Sequence, residues 1–437
     1  MEEMENNKNI VNEENNDIKL VDLAIELSGY EDEDIEKVCK DLDDKSLAVV
    51  LEQAESKVQI KIISFLDNKK IIDIFSFMSK DDIADVLGII NTGRRKQIIN
   101  IMKAGDKAII KQLLGYKDDS AGGIMTTEYI ALNKDLTIRQ AINKIKEITP
   151  KTEYIQTIYV TNENKKIVGT VRLREILVAD EKQKLEDIVN ENFVYVTPDV
   201  DQEEVAQIVS KYDLNAIPVL NSRKRMLGII TIDDIVDVLV EEQTEDILKM
   251  GGVAKEETLD STLFESIRMR LPWLFINLIT AFLAALTVRM FEGTIAKVVA
   301  LSATMSIVTG MGGNAGTQTV SIIIRNLAMG KVKFKDVKRL VLKEILLGII
   351  NGAIIGVVTG IVVAVIYKNM FLGLIIFLAM VGNLIISGFF GLIIPLILEK
   401  LNLDPALSSS IFLTTATDVL GFFLFLSLAS LFLTKLI

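Results

Sequence analysis

The C-terminal part of the chain contains an aspartate inside a long apolar stretch, where a charge is costly. Asp418 follows Ser410 and Thr414 at intervals of four residues, and Gly421 comes three residues later. Residues with this spacing share one face of an α-helix. An ionised carboxylate near the middle of a membrane-spanning helix costs about 2.5–3.5 kcal/mol. The polar stripe therefore predicts a path for cations. The alternatives are a buried aspartate whose partners lie on neighbouring helices, and an aspartate that lies near the membrane interface.

A second polar segment, GMGGNAGTQ at 310–318, interrupts another apolar stretch. Its glycines, which include Gly312 and Gly313, weaken a helix. Close helix packing would account for the glycines, but it does not need the amides of Asn314 and Gln318. Polar groups at membrane depth are tolerated where they line a wet cavity. We therefore expect this segment to lie along the same path, with oxygen ligands that suit hard cations such as Mg²⁺.

The elements that carry these residues are long apolar runs, each at least as long as the roughly 20 residues that a membrane-spanning helix needs. Five such runs follow one another, at 271–291, 296–324, 340–367, 370–398 and 406–434. Residues 271–437 carry a net charge of +6, and residues 1–270 carry −17. The loops on one side of the spans hold eight Lys and Arg side chains, and the other side holds four. This asymmetry predicts a cytoplasmic N-terminal part and a C-terminus outside.

The composition excludes several classes of site. The 437 residues include no His and one Cys, so His-based catalysis and imidazole or thiolate metal cages are excluded. The acidic N-terminal part argues against binding to nucleic acid. The first residues lack the features of a signal peptide, and the sequence contains no Walker A motif. We expect a transport or sensing protein and not an enzyme.

Residues 131–243 contain an internal repeat with an offset of 59 residues. The segment TIYVTNENKKIVGTVRLREIL (157–177) aligns with AIPVLNSRKRMLGIITIDDIV (216–236), and each predicts strand, turn, strand and helix. The repeat resembles a pair of CBS domains, at 131–190 and 191–243, which often sense nucleotides or ions. The Thr-x-x-Asp of nucleotide-binding copies occurs only in the second copy, as Thr231 and Asp234.

Acidic residues crowd the end of this repeat and the linker at 244–269 that follows it. They are Asp233, Asp234, Asp237, Glu241, Glu242, Glu245 and Asp246. One interpretation is a solvated charged face. The other is that carboxylates from separate elements converge and repel one another unless a divalent ion bridges them. Such bridging would make the conformation depend on the ion.

The region before the repeat predicts short helices. Apolar residues recur at spacings of three and four, as in DIADVLGIIN (82–91) and RKQIINIMK (95–103). We expect a helical superhelix over residues 17–130. Residues 1–16 are rich in Asn and Glu and have the composition of a disordered segment.

The order of these parts and several motifs resemble the MgtE family of bacterial magnesium channels, over residues 20–437. The motifs are LLGYKDDSAGGIMTTEYIAL (113–132), VTPDVDQEEVAQIVSKYDLNAIPV (196–219), TEDILKMGGV (244–253), RLPWL (270–274), GMGGNAGTQ (310–318) and LDPALSS with TTATDVLGF (within 403–422). The chain departs from the family at Ser306, where relatives often have proline, and near Ile411.

The resemblance implies a homodimer in the bacterial cell membrane, with a pore between the protomers lined by spans two and five. Asp418 would be the Mg²⁺ site of this pore, and Asn314 would line it. Other acids would bind internal Mg²⁺ and close the channel. By position these are Asp82, Asp85, Asp233, Asp237, Glu245 and Asp246.

The expected fold is a multidomain membrane protein. It has an all-α superhelical N-terminal domain, tandem α/β CBS domains, a linker or plug helix (244–269) and a transmembrane domain of five helices (270–437). The expected function is Mg²⁺ import down the membrane potential, with ATP left open as a modulator. Two alternatives remain: a transporter whose main ion is Co²⁺, Mn²⁺ or Ca²⁺, and a membrane-anchored CBS sensor that transports nothing.

Overall fold

The computed structural model describes residues 16–149, 152, 154–254, 257–258, 261–332, 336–401, 403–406 and 409–436. The chain divides into two compact units, residues up to Val238 and residues from Leu239 onward. The expectation of disorder for residues 1–16 falls outside the described residues, except at Asn16, where the first described helix begins.

Short capped helices open the first unit. They are α1 (Asn16–Glu26), α2 (Asp32–Asp41), α3 (Asp44–Gln53), α4 (Ser56–Phe65), α5 (Asn68–Phe75), α6 (Lys80–Ile89), α7 (Thr92–Ile101) and α8 (Ala104–Leu113). Asp43, Asp67, Ser79 and Asn91 each accept a hydrogen bond from a backbone N–H of the helix that follows. From α1 to α6, each helix packs against the helix two further along the chain. The helices therefore stack as a superhelix, as the periodicity predicts.

The predicted repeat is present as two similar folding units. Its first copy contains β1 (Ala131–Asn133), α9 (Ile138–Ile148), β2 (Thr157–Thr161), β3 (Ile167–Arg172) and α10 (Leu173–Val178), and the second contains α11 (Gln202–Tyr212), β4 (Ala216–Leu220) and β5 (Met226–Thr231). The antiparallel pair Ile158 with Val171 recurs 59 residues later as Ile217 with Ile230. The hairpin turns also match, because Lys165 and Lys224 both have a positive φ, 58° and 57°. The repeat in the sequence therefore reflects a repeated backbone.

The second copy ends in a long helix, α12 (Ile232–Met250), whose residues from Leu239 onward belong to the second unit. The rest of that unit consists of α13 (Leu263–Met290), α14 (Glu292–Lys297), α15 (Ala300–Ala328), α16 (Val337–Tyr367), α17 (Met370–Lys400), α18 (Ser409–Leu431) and α19 (Leu433–Leu436). The first long helix begins eight residues before the predicted span, because Thr262 and Glu265 form a capping box there.

Four of these helices are long and apolar enough to cross a membrane, judged by length and composition in the described part of the chain. They are α13, α16, α17 and residues 410–431 of α18. Helix α15 spans 29 residues, but its polar segment 310–318 lowers its apolar character, and it is not among the four. The structure therefore supports a multidomain membrane protein, and the count of five spans stays a prediction.

Helix α17 lies at the centre of the membrane unit, since it packs against α15, α16 and α18. Its closest neighbour is α16, on which Gly348, Gly352, Gly356 and Gly360 form a buried stripe. A Cβ atom added at Gly352 would lie 2.6 Å from the Cα of Val381 in α17. The two backbones therefore touch, which is the role of small residues at helix contacts in membranes.

Candidate functional site

Helix α15 has a polar face that the other described residues do not cover. Asn314, Thr317 and Gln318 are exposed, whereas Gly316 and Thr319 on the other side are buried. The Thr317 hydroxyl donates to the carbonyl of Gly313 at 3.0 Å, so its oxygen keeps its acceptor capacity for an outside donor or a cation. The predicted segment is thus helical, and its amides point away from the helices of its own chain.

Helix α18 presents a similar face. Thr414 is exposed, and Ser410 and Asp418 are half-buried. The Thr414 hydroxyl donates to the Ser410 carbonyl at 2.9 Å. On the other side Leu413 and Thr417 are fully buried. The structure therefore keeps the three predicted residues of the polar stripe on one partly open face.

The Asp418 carboxylate has no hydrogen bond or ion pair with another described residue. The other carboxylate within the apolar runs behaves differently, because Glu344 accepts a hydrogen bond from Thr319 at 3.0 Å. An unpaired carboxylate at membrane depth has a high free-energy cost unless water or a cation contacts it. The described residues therefore do not supply a partner for Asp418, and both a cation path and an aspartate near the membrane interface stay predictions.

Gly312 and Gly421, both predicted to line the ion path, lie in buried helix contacts. Each faces Asn383 of α17, a fully buried residue that the sequence analysis missed. Gly313 meets no atom within 4 Å of an added Cβ. The place of these three glycines on the ion path stays a prediction. A lone Asn in the run 370–398 was the available signal for Asn383.

A group of carboxylates surrounds α6 in the first unit. Burial raises the pKa of Asp81 to about 7, and repulsion by Asp82 adds to the effect. Burial also raises the pKa of Asp85 to about 7, with further repulsion from Asp82, Asp81, Asp118 and Asp234. One oxygen of Asp81, Oδ1, is buried without a hydrogen-bond partner among the described residues. The predicted pair Asp82 and Asp85 thus belongs to a larger group.

Sequence analysis missed Asp81 and Asp118 in this group, although the runs KDDIAD and KDD contain them. Asp234 was predicted to bind a nucleotide. Burial raises its pKa, and repulsion by Asp233 and by the nearby Asp82 adds to the effect. Oδ2 of Asp234 accepts a hydrogen bond from the Thr231 hydroxyl at 2.6 Å. The two polar side chains of the Thr-x-x-Asp motif are therefore hydrogen-bonded to each other in this structure. The predicted acids Asp233 and Asp237 lie on the exposed face of α12.

The predicted acids of the linker lie beside a loop of the membrane unit. Lys249 forms ion pairs with Glu245 and with Asp404, a residue of the loop before α18 that the sequence analysis missed. Burial raises the pKa of Asp246 to about 6, and repulsion by Asp404 and Glu242 contributes. Asp404 also accepts a hydrogen bond from the Ala406 backbone at 2.7 Å. Carboxylates of α12 and of the loop before α18 thus approach each other here, and Lys249 pairs with one from each. All seven acids of the predicted run lie on α12 itself, and their bridging by a divalent ion stays a prediction.

The donor sets fit a hydrated ion better than an all-protein cage. Within the described residues, no three Asp, Glu or Cys side chains are close enough together to hold a metal ion. Mg²⁺ usually keeps several waters and binds through one or two carboxylates. The buried, unpartnered oxygen of Asp81 and the repulsion among its neighbours fit such an ion at α6.

A cavity of about 930 Å³ lies between the two CBS copies. Tyr159, Arg172, Asn190, Phe193 and Asn215 are among its lining residues, and Thr231 and Asp234 are not. The Tyr159 hydroxyl is buried and has no hydrogen-bond partner among the described residues. The cavity is therefore lined by aromatic rings and by two guanidinium groups, those of Arg172 and Arg174.

Comparisons with protein families divide the chain in the same way. Residues 305–428 match the sequence model of MgtE, described as a divalent cation transporter. Residues 18–119 match the MgtE intracellular N domain. The CBS domain matches twice, at 121–182 and 185–241, which confirms the pair predicted from the repeat.

Similar proteins cover most of the chain. The magnesium transporter MgtE of Bacillus subtilis is 32% identical over 77% of this chain and 74% of its own length. The MgtE of Enterococcus faecalis is 34% identical over 74% of this chain and 71% of its own length. The MgtE of Thermus thermophilus is 34% identical over 75% and 73%.

Two solved structures resemble part of the chain. The soluble part of a magnesium transporter is 29% identical, with a TM-score of 0.47, over 49% of this chain and 85% of that structure. The cytosolic domain of the Mg²⁺ channel MgtE in complex with ATP is 30% identical, with a TM-score of 0.48, over 50% and 89%. The family matches and the identity to relatives over most of their length show that this chain belongs to the MgtE family of magnesium transporters.

Proposed function

We propose that the protein imports Mg²⁺ through a pore shared by two copies of the chain, and that Mg²⁺ bound to its cytoplasmic acids closes this pore. The observation that carries the proposal is the Asp418 carboxylate, which lies on a partly open helix face without a partner among the described residues. Its neighbours on that face offer only oxygen donors, which suits a hard divalent cation.

The polar face of α15 supports a shared pore. Asn314, Thr317 and Gln318 are exposed on the single chain, and such groups are tolerated at membrane depth only against protein or water. A second copy placed against this face would bury the amides and enclose a wet path. Because α15 and α18 pack against each other, the same enclosure would take in Asp418. This arrangement is the proposed homodimer.

The membrane potential is sufficient to drive the flow. A doubly charged ion that enters a cell with a negative interior gains about 4.6 kcal/mol per 100 mV. Mg²⁺ loses its water reluctantly, so Asp418 and the hydroxyls of α18 would contact it through its hydration shell. The side chains orient waters and lower the electrostatic barrier, and no covalent chemistry is needed.

Closure is proposed to depend on carboxylates that repel one another without a metal. Asp81, Asp82 and Asp85 lie near Asp234 in the N-terminal unit, and Asp246 lies near Asp404 in the membrane unit. An ion that bridges such groups removes the repulsion and favours the conformation in which they converge. Internal Mg²⁺ would thus stabilise one state of the protein.

The cavity between the CBS copies supports a second, modulatory function. Its aromatic side chains could stack on a purine, and Arg172 could pair with a phosphate. We propose that ATP or a related nucleotide binds in this cavity, and not at Thr231 and Asp234, which are hydrogen-bonded to each other.

The test of the main proposal is Mg²⁺ uptake into proteoliposomes under an inside-negative potential. We expect Asp418→Asn to reduce uptake at least tenfold, because the amide keeps the shape but removes the charge that attracts the ion; a tenfold loss corresponds to about 1.4 kcal/mol. Asp336→Asn, at an exposed carboxylate before α16, is the matched control and keeps native uptake.

The outcomes separate the alternatives. Uptake by the native chain that is faster for Mn²⁺, Co²⁺ or Ca²⁺ than for Mg²⁺ would favour a transporter with a different main ion. Equal uptake by the native chain and Asp418→Asn would move the ion site elsewhere. A folded native chain that takes up no divalent ion would refute transport and support the membrane-anchored sensor.

A further inference from the structure

Asn383 is a polar residue in the middle of the membrane unit. It lies near the centre of α17 and is fully buried. Its side-chain Nδ2 donates to the backbone carbonyl of Val308 in α15 at 2.7 Å. Its Oδ1 has no hydrogen-bond partner among the described residues. A buried acceptor without a donor is destabilising, so simple stability does not explain this side chain.

Two glycines form the space that the amide occupies. A Cβ atom added at Gly312 of α15 would lie 2.2 Å from Nδ2 of Asn383. One added at Gly421 of α18 would lie 2.7 Å from Oδ1. Both distances are far below van der Waals contact, so the amide fits closely between the two helices, and a methyl group at either glycine would force the amide to move.

These contacts lie next to the residues of the proposed ion path. Gly312 is two residues before Asn314, and Gly421 is three residues after Asp418. The amide of Asn383 therefore touches both helices within one turn of their polar faces. Its hydrogen bond to Val308 fixes α15, and its contact with Gly421 limits how closely α18 approaches.

We propose that Asn383 is a positioning residue for ion passage, which sets the spacing between the two helices that carry Asn314 and Asp418. The inference rests on the proposed function, because it assigns Asn383 to the same path. Asn383 acts through the backbones of α15 and α18. It does not itself contact the ion.

The variant Asn383→Leu tests this role, since leucine has a similar branched shape but no amide. It removes the hydrogen bond to Val308 and also the unused acceptor, so we expect the melting temperature to stay within about 4 °C of the native value. We expect Mg²⁺ uptake to fall about tenfold, which corresponds to about 1.4 kcal/mol, because the spacing between α15 and α18 changes. The matched control is Asn351→Leu, at an exposed asparagine of α16, which keeps native uptake.

A second pair of variants tests the contact itself. Gly312→Ala places a methyl group against the amide, and we expect it to reduce uptake. Asn383→Ala removes the amide from that space. The double variant Gly312→Ala with Asn383→Ala should therefore take up no less Mg²⁺ than the less active of the two single variants. Additive losses would contradict a shared contact. Gly293→Ala, where an added Cβ meets nothing within 4 Å, is the control for the glycine change.

A distance measurement makes the inference testable apart from transport. Spin labels at exposed Ser302 of α15 and Leu431 of α18 each lie ten residues from the glycine that Asn383 contacts. We expect the distance between the labels to shift in Asn383→Leu. An unchanged distance would overturn the proposal, as would native uptake or a large fall in melting temperature. A native chain that takes up no Mg²⁺, with the distance still shifted in the variant, would refute the proposed function alone.

Discussion

Asp81 and Asp85 of α6 are carboxyls that remain partly protonated near neutral pH. Each has a pKa of about 7 in the folded protein, well above the ordinary value of 3.8, because burial disfavours the charged form. Between pH 3.8 and about pH 7, the folded state therefore binds more protons than the unfolded state. In the absence of metal, stability is expected to fall as pH rises from about 4 to about 7 and to change little above that.

This titration predicts that Mg²⁺ stabilises the protein more at pH 8 than at pH 6. At the lower pH, protons compete with the metal for the same oxygens, whereas at the higher pH the ionised groups repel one another until a cation is bound. The measurement is the shift in melting temperature of the full chain on addition of Mg²⁺.

The double variant Asp81→Asn and Asp85→Asn is the comparison. We expect its metal-free melting temperature to exceed the native one at pH 8, with a smaller response to Mg²⁺. A Mg²⁺ response that is equal at both pH values in the native chain would contradict the assignment of these carboxyls.

Individual functional residues could be predicted only where the surrounding sequence made them conspicuous. Asp418 stood out because an apolar run made its charge expensive. Asp404 did not, since it is one acid in a loop, and its proximity to Asp246 arises from contacts that bring distant segments together. Asn383 gave a weak signal, because its importance lies in the two glycines opposite it on other helices.

At the scale of secondary structure, the contact between α16 and α17 depends on glycines spaced four apart. This spacing was visible in the sequence, at Gly348, Gly352, Gly356 and Gly360. It places small residues on one helix face, but the sequence does not say which helix packs there. The structure shows the partner to be α17, at a backbone approach that leaves no room for a side chain.

The close approach predicts that Gly352→Val disrupts the membrane unit. The added side chain would collide with the backbone of α17 near Val381, and overpacking of this kind costs about 1–3 kcal/mol or more. The measurement is the yield of monodisperse protein and its melting temperature in detergent. The control is Val358→Leu on the exposed side of the same helix, which is expected to behave like the native chain. Equal stability of the two variants would show that the helices can separate without cost.

For the whole molecule, the domain order was predictable because each part has its own pattern. The superhelix shows a helical period, the CBS copies show a repeat of 59 residues, and the membrane part shows long apolar runs. What the patterns could not give is the boundary inside α12, which continues from the second CBS copy into the membrane unit without a break. Helix propensity alone does not reveal where one packed unit ends and the next begins.

The shared pore predicts that two copies meet along the polar face of α15. Thr317→Cys places a thiol on that face, and we expect a short thiol cross-linker to join two chains of 48.5 kDa each. The native Cys39 should not interfere, since it is buried and its burial raises its pKa to about 11.

The control for this experiment is Val358→Cys, on an exposed and apolar part of α16. We expect it to remain a single chain after the same treatment. Cross-linking at Val358 and none at Thr317 would place the contact between copies on a different surface and contradict the shared pore.

Lys249 of α12 competes with a metal ion for the carboxylates with which it forms ion pairs. The Lys249 ammonium already pairs with Glu245 and Asp404. Because the ammonium is part of the chain, its effective concentration at these carboxylates does not depend on the concentration of free cations in the cell. In the proposed gating, Mg²⁺ has to displace this tethered charge before it can bridge the same carboxylates. Lys249 would therefore determine the lowest Mg²⁺ concentration at which the metal can bridge these carboxylates.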